Sequence, residues 1–280
     1  MITYTADLLL AAENELGEGP IWHPVHEKLY WVDITQGKVQ AYDPATQKVE
    51  HWPFPGFACA LGVDQGDAIF VVEGSQLSRL HTQSGEVETL FELSIGEKRR
   101  FNECKLDRQG RFWMGTMHLD AKENAGAFYR LDQDGTFTKI LDNQTIPNGF
   151  CWSADEQYLF HIDSFRHQVN CYVYDAAAGM ISDPITIYTN PDPNVYLDGM
   201  CMDQAGNLWI ACWGNGKVIS VDPVRREVMA EVSVPAPHVT SCVWGGADGA
   251  TLYITTARLG LTEEQLAEYP LSGGVFRVKV

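Results

Sequence analysis

Basic residues are scarce in this chain: 20 lysines and arginines stand against 37 aspartates and glutamates, a formal net charge of −17. Such a surface repels phosphate, which argues against nucleic acid or an anionic membrane as partner, and it favours the approach of cations. Long apolar runs are missing, so no helix that spans a bilayer is expected. The first residues, Met1-Ile-Thr-Tyr-Thr-Ala-Asp7, have neither a basic start nor an extended apolar segment. No secretory signal is expected from them, and the cytoplasm is the expected compartment. None of the seven cysteines forms a CxxC pair, and most sit inside apolar strand phrases. That pattern disfavours a disulfide framework or a zinc site and suits small buried thiols in a reducing compartment. No Pro/Ser-rich linker or low-complexity tract interrupts the chain, so residues 1–280 are expected to form one domain. Helical periodicity is also rare. Its best instance is residues 261–269, opened by Thr262 as N-cap with glutamates in the first turn.

What the chain does contain is one short phrase, six times over: Glu18-Gly-Pro-Ile-Trp-His23, Cys59-Ala-Leu-Gly-Val-Asp64, Asn102-Glu-Cys-Lys-Leu-Asp107, Asn148-Gly-Phe-Cys-Trp-Ser153, Asp198-Gly-Met-Cys-Met-Asp203 and Thr240-Ser-Cys-Val-Trp-Gly245. Most copies pass through a turn into an aromatic-rich strand, as in Tyr30-Trp-Val-Asp33, Phe112-Trp-Met-Gly115 and Leu208-Trp-Ile-Ala211; the second copy, with Ala68-Ile-Phe-Val71, is weaker. Repeats of about 40–50 residues built of short strands are the signature of a β-propeller. The expected fold is therefore all-β, a six-bladed propeller. Turns such as Asp132-Gln-Asp-Gly135 and Asp64-Gln-Gly-Asp67 mark antiparallel hairpins. Residues 3–10 and 274–280 read as strands without local partners, and both are expected in one blade, closing the ring.

A propeller brings equivalent repeat positions around one axis, so the first residues of the six phrases should face one another. They are Glu18, Cys59, Asn102, Asn148, Asp198 and Thr240. Glu18, Asn148 and Asp198 offer two carboxylates and an amide oxygen. These hard donors suit one divalent cation: Ca2+, Mg2+ or Mn2+, with Fe2+ and Zn2+ also open. Three protein ligands leave positions for water and substrate, as a catalytic metal requires. Asn-Gly and Asp-Gly are common hairpin turns, but here each stands just before an apolar strand and in register with the others. Gly19, Gly149 and Gly199 would let the backbone turn tightly beside the ligands. In the third unit, Arg100 and Asn102 are placed to hold an oxygen-rich substrate, with Glu103 next to them. Arg99, beside Glu97 and Lys98, reads as solvated surface; Lys105 and Asp107 read as strand and turn residues, and His238 as structural.

These phrases, together with Arg100-Phe-Asn-Glu-Cys-Lys-Leu-Asp-Arg-Gln-Gly-Arg-Phe-Trp-Met-Gly-Thr-Met117, Pro147-Asn-Gly-Phe150 and the closing Gly273-Gly-Val-Phe276, resemble the regucalcin (senescence marker protein 30)/gluconolactonase family along essentially the whole chain. The resemblance implies a six-bladed propeller with one divalent metal on its axis and, in many members, hydrolysis of sugar lactones. Carried over by position, Glu18, Asn148 and Asp198 hold the metal, Asp198 is also the general base, and Arg100 and Asn102 bind substrate oxygens. The chain departs from the family at two places. Glu103-Cys104 replaces the usual Asp-Gly, and Lys122, followed by Glu123, stands where some members place a substrate-binding glutamate. Both changes fall where the sugar would be recognised.

The expected reaction is metal-assisted opening of an aldonolactone to the aldonic acid, a step in carbohydrate metabolism, by a protein expected to be a monomer. Two alternatives remain open at this level. One is a metal-dependent esterase or organophosphatase on the same propeller, for which Trp22 and Phe101 speak; the other is a non-enzymatic metal-binding scaffold.

Overall fold

In a computed structural model, which describes residues 1–64 and 66–280, the six phrases are the innermost strands of six blades, each built on four antiparallel strands, one of which gains a fifth strand. These strands are Gly17–His23, Ala58–Val63, Arg99–Leu106, Pro147–Trp152, Tyr196–Met202 and Val239–Gly245. Each is followed by the expected aromatic-rich strand, for example Lys28–Asp33, Phe112–His118 and Leu208–Trp213. The chain is thus an all-β six-bladed propeller. The expected turn at Asp64-Gln-Gly-Asp67 includes Gln65, which lies outside the described residues.

In the third and fifth blades the aspartate that ends the phrase organises the hairpin. In the third blade the Asp107 carboxylate accepts from the backbone N–H of Arg111 (2.9 Å) and from Trp113 Nε1 (2.9 Å). Asp203 does the same in the fifth blade, with Asn207 N–H (2.8 Å) and Trp209 Nε1 (2.9 Å). One carboxylate therefore closes the turn and satisfies the indole that the core buries. Gly110 and Gly206 sit in these turns at φ +76° and +88°, where a side chain would be strained. Trp31 and Trp113 are fully buried between layers.

Ring closure joins the two ends of the chain in one blade, as expected, and the first strand adds a second tie. Asp7–Leu10 pairs antiparallel with Val275–Lys279 as the outer strand of the sixth blade (Asp7 opposite Arg277). Ile2–Thr5 instead runs parallel to Glu227–Ser233 and adds a fifth strand to the fifth blade. Residues 3–10 are therefore two strands broken at Ala6, whose N–H donates to Ser233 O at 2.9 Å. The break lets one arm clip two blades and cover an edge that would otherwise be open.

The single α-helix among the described residues, Glu263–Glu268, starts where expected, with Thr262 and Gln265 forming a reciprocal capping box. All seven cysteines are free thiols and six are buried. No helix of the described residues is long and apolar enough to cross a membrane.

Candidate active site

Every innermost strand breaks its ladder at the same place. Pairing skips from Glu18 to Ile21, Ala58 to Ala60, Phe101 to Glu103, Pro147 to Phe150, Leu197 to Met200 and Val239 to Ser241. In five of the strands the first residue passed over is the aligned first residue of the phrase; in the first strand Glu18 still pairs with Val32 and stands immediately before the break. A bulge re-aims a side chain out of the sheet's alternation, and here it turns the aligned residues toward the axis. The glycines have a different role from the turn expected of them. A Cβ on Gly149 would lie 2.4 Å from Met200 N, and one on Gly199 would lie 2.1 Å from Ser241 Oγ. They allow neighbouring innermost strands to approach at the axis; Gly19 alone of the three has positive φ (+51°).

Glu18, Asn148 and Asp198 line one cavity of about 320 Å3 together with Arg100 and Asn102. Asn148 Nδ2 donates to Ser164 Oγ (3.1 Å), which itself donates to Leu197 O (2.7 Å). With its amide nitrogen held there, Asn148 presents its oxygen as the free donor atom. The loops that deliver the ligands are fixed by aspartates at the ends of second strands. Asp163 accepts from Thr145 and Ile146 N–H, both at 3.0 Å, and Asp33 from Glu15 (2.9 Å) and Leu16 (3.1 Å) N–H. Arg100 Nη1 donates to Phe101 O and to Asn102 Oδ1, both at 2.8 Å, and Asn102 Nδ2 donates to Pro147 O at 3.1 Å.

The electrostatics of the site are those of buried acids short of a counter-charge. Burial pushes Glu18 up to about 8, with nearby Glu103 adding to the rise; the Gly19 N–H (2.7 Å) and Arg100 oppose it. Asp198 lies well above the usual carboxylate range, first through burial, then through the negative charges of Glu18 and Glu103. Its buried Oδ1 has no hydrogen-bond partner. An orphaned carboxylate oxygen beside a second buried carboxylate and a free amide oxygen fits a divalent cation, which would satisfy all three. Among the described residues no three His, Cys, Asp or Glu side chains converge closely enough to hold a metal by themselves. A cation at this mouth would therefore need the amide oxygen of Asn148 beside the two carboxylates.

Glu103 stands apart from the grouping expected for it. Pairing resumes at this residue after the bulge, and the buried carboxylate lines the opposite funnel of the axis, a space of about 530 Å3, instead of the cavity that holds Arg100 and Asn102. Its carboxyl is raised by burial and eased downward by Lys105. Lys105 itself, expected to be an ordinary strand residue, crosses toward the axis and donates to Phe150 O (2.7 Å) and Met200 O (2.6 Å). Of the other aligned residues, Cys59 is fully buried, and Thr240 ties the sixth blade to the first by donating to Gly17 O at 2.6 Å. Arg99 donates to Ala125 O, His238 stacks on Trp213 at 4.0 Å, and Lys122 and Glu123 are exposed, with none of the four lining the cavity. Ser164, Met117, Phe165, Tyr196 and Trp213 do line it and carried no sequence signal, because they arrive from strand ends and turns outside the phrases.

A six-bladed propeller whose bulged inner strands bring two carboxylates and an amide to one mouth of the axis defines a class of oxygen-donor, cation-ready propellers. The chain belongs to the SMP-30/gluconolactonase/LRE-like family, whose model matches residues 16–258. It is 33% identical over 277 residues to YvrE of Bacillus subtilis, a protein named as a candidate sugar lactone lactonase, covering 98% of this chain and 95% of that one. It is 32% identical to regucalcin of Danio rerio over 280 residues, 99% of this chain and 95% of that one. Among solved structures, the calcium-binding protein regucalcin of Agrobacterium tumefaciens superposes with a TM-score of 0.94, covering 99% of this chain and 94% of that one. At 24% identity that last likeness is one of fold.

Proposed function

We propose that the protein is a metal-dependent lactonase that hydrolyses a sugar lactone to its aldonic acid at the Glu18–Asn148–Asp198 mouth of the axis. The observation that carries this is Asp198 Oδ1, buried without a partner in a cavity that also holds Arg100 and Asn102. Relatives of nearly equal length named for lactonase activity supply the reaction class. A divalent cation held by Glu18, Asn148 and Asp198 supplies Lewis acidity toward the lactone carbonyl and toward a water molecule.

The chain's own groups do the rest. Asp198 accepts the proton of the attacking water as general base. Collapse breaks the bond between the acyl carbon and the ring oxygen, which leaves as an alcohol once protonated. Arg100 and Asn102, locked to each other at 2.8 Å, orient substrate oxygens at a fixed place beside the reacting carbon. Glu103 acts from below the site through its charge.

The test is hydrolysis of fresh aldonolactones by chelator-stripped protein with Ca2+, Mg2+, Mn2+, Fe2+ or Zn2+ added back, corrected for spontaneous opening. Activity restored by one cation supports the reading. Full activity in excess chelator, or none with any cation, sinks it.

A further inference from the structure

The cavity is two-sided. Toward the third blade it carries Arg100 and Asn102; toward the fourth, fifth and sixth it is closed by Phe165, Tyr196, Trp213 and Leu259. The apolar side is rigid. Trp213 stacks on His238 with ring centroids 4.0 Å apart and 14° between planes, and Tyr196 stacks on His167 at 4.9 Å. Phe165 lies 5.6 Å from Tyr196. Phe165 and Leu259 nevertheless remain 43% and 37% exposed, at a mouth where apolar surface has nothing to cover it. The polar side, by contrast, has spent much of its capacity. Arg100 Nη1 serves two acceptors, Asn102 Nδ2 is bonded to Pro147 O, and the Ser164 hydroxyl to Leu197 O. A substrate hydroxylated on every carbon would bury hydroxyls against aromatic rings, which costs free energy when no partner is offered.

Resting on the lactonase reading, we infer that the preferred substrate is an amphipathic lactone. Its hydroxyl-bearing edge faces Arg100 and Asn102, and an apolar substituent lies on the wall formed by Phe165, Tyr196, Trp213 and Leu259. That chemistry occurs in deoxy-sugar lactones and in ring-hydroxylated γ-lactones that carry an alkyl chain. A preorganised wall makes the apolar flank contribute to binding without an ordering cost.

The experiment compares, with the activating cation, galactono-lactone, its 6-deoxy counterpart (fucono-lactone) and a series of ring-hydroxylated γ-alkyl lactones of increasing chain length. The inference expects the 6-deoxy lactone to exceed its parent in kcat/KM by about tenfold. It also expects each methylene of the alkyl series to add about three- to fourfold until the cavity is filled. A deoxy lactone that wins while the alkyl series is inert identifies the sugar-derived source; the reverse identifies the alkyl one. Phe165→Ala and, separately, Leu259→Ala should lower the deoxy-to-parent ratio mainly through KM. A fully hydroxylated lactone turned over as well as or better than both the deoxy lactone and every alkyl lactone, or a preference that neither variant moves, overturns the inference and leaves the lactonase reading intact. Absence of turnover on every lactone overturns both.

Discussion

The two mouths of the axial channel are made from the same six strands and carry opposite chemistry. Above the bulges stand Glu18, Asn102, Asn148 and Asp198; below them Cys104, Cys151, Cys201 and Cys242 share one register position, one residue past the point where pairing resumes. Of the upper groups, Glu18, Asn148 and Asp198 are hard and buried, and Asp198 Oδ1 has no hydrogen-bond partner. The lower ones are thiols, and burial opposes the ionisation of three of them: Cys151 is pushed up to about 12, and Cys104 and Cys201 lie well above the ordinary value. Lys105 ties the third blade to the fourth and fifth between the two. One end thus holds unmet electrostatic demand, which is what a cation and a polar reaction use, and the other spends its groups on packing and bridging. The bulge separates them, because it lets successive residues of one strand serve different faces.

That contrast can be broken most decisively at Asp198. Asp198→Asn should lower kcat by about 10²–10⁴-fold while leaving thermal stability of the metal-free protein equal or higher, since a buried carboxylate disappears. Steady-state kinetics with saturating cation, read beside a melting curve, check this; near-normal kcat would remove Asp198 as base. Ser164→Ala probes the support behind the upper mouth. Freed from its hydroxyl partner, Asn148 should hold the cation about 10–100-fold more weakly, measured by calorimetric titration, and unchanged affinity would show that Ser164 does not position it. At the lower end, Lys105→Met should cost about 2–4 kcal/mol of stability through two lost charge-assisted bonds, seen in denaturant unfolding, with turnover per folded molecule little changed. If turnover falls and stability does not, the two mouths are not divided as described.

The smallest expected effect is a pH dependence that metal should erase. Glu18 titrates near 8 when folded, against an ordinary 4.5, so the folded state binds its proton more tightly. Its contribution to stability is fully present below about 4.5 and lost as pH rises through about 8. Asp198 and Glu103 shift in the same direction. The melting temperature of chelated protein should therefore decline across that window, and a saturating cation should flatten the decline while its own affinity rises with pH. A chelated protein whose melting temperature climbs over the window contradicts the electrostatic account.

Much of the site was legible because a propeller converts sequence register into spatial convergence. The alignment that picked out Glu18, Asn102, Asn148 and Asp198 selected residues that do line one cavity. The same alignment also selected Cys59 and Thr240, which lie buried away from it. Glu103 was grouped with Arg100 and Asn102 by adjacency, yet the break in pairing at Asn102 carries it to the other funnel. Lys105 looked ordinary because its partners are carbonyls on strands 45 and 95 residues away. No local pattern records such a bond.

The sequence by itself determined the number of blades, the strands that face the axis and the donor atoms offered there. Those properties follow from period, turn chemistry and residue type, which are local. Tertiary structure alone decided that the bulge would split neighbouring side chains between two mouths and that the first ten residues would serve two blades. It alone also set a wall of Phe165, Tyr196 and Trp213 opposite Arg100. These depend on how closely separate blades approach, and that distance is set by packing across the ring, such as the contact that leaves no room for a Cβ at Gly149 or Gly199.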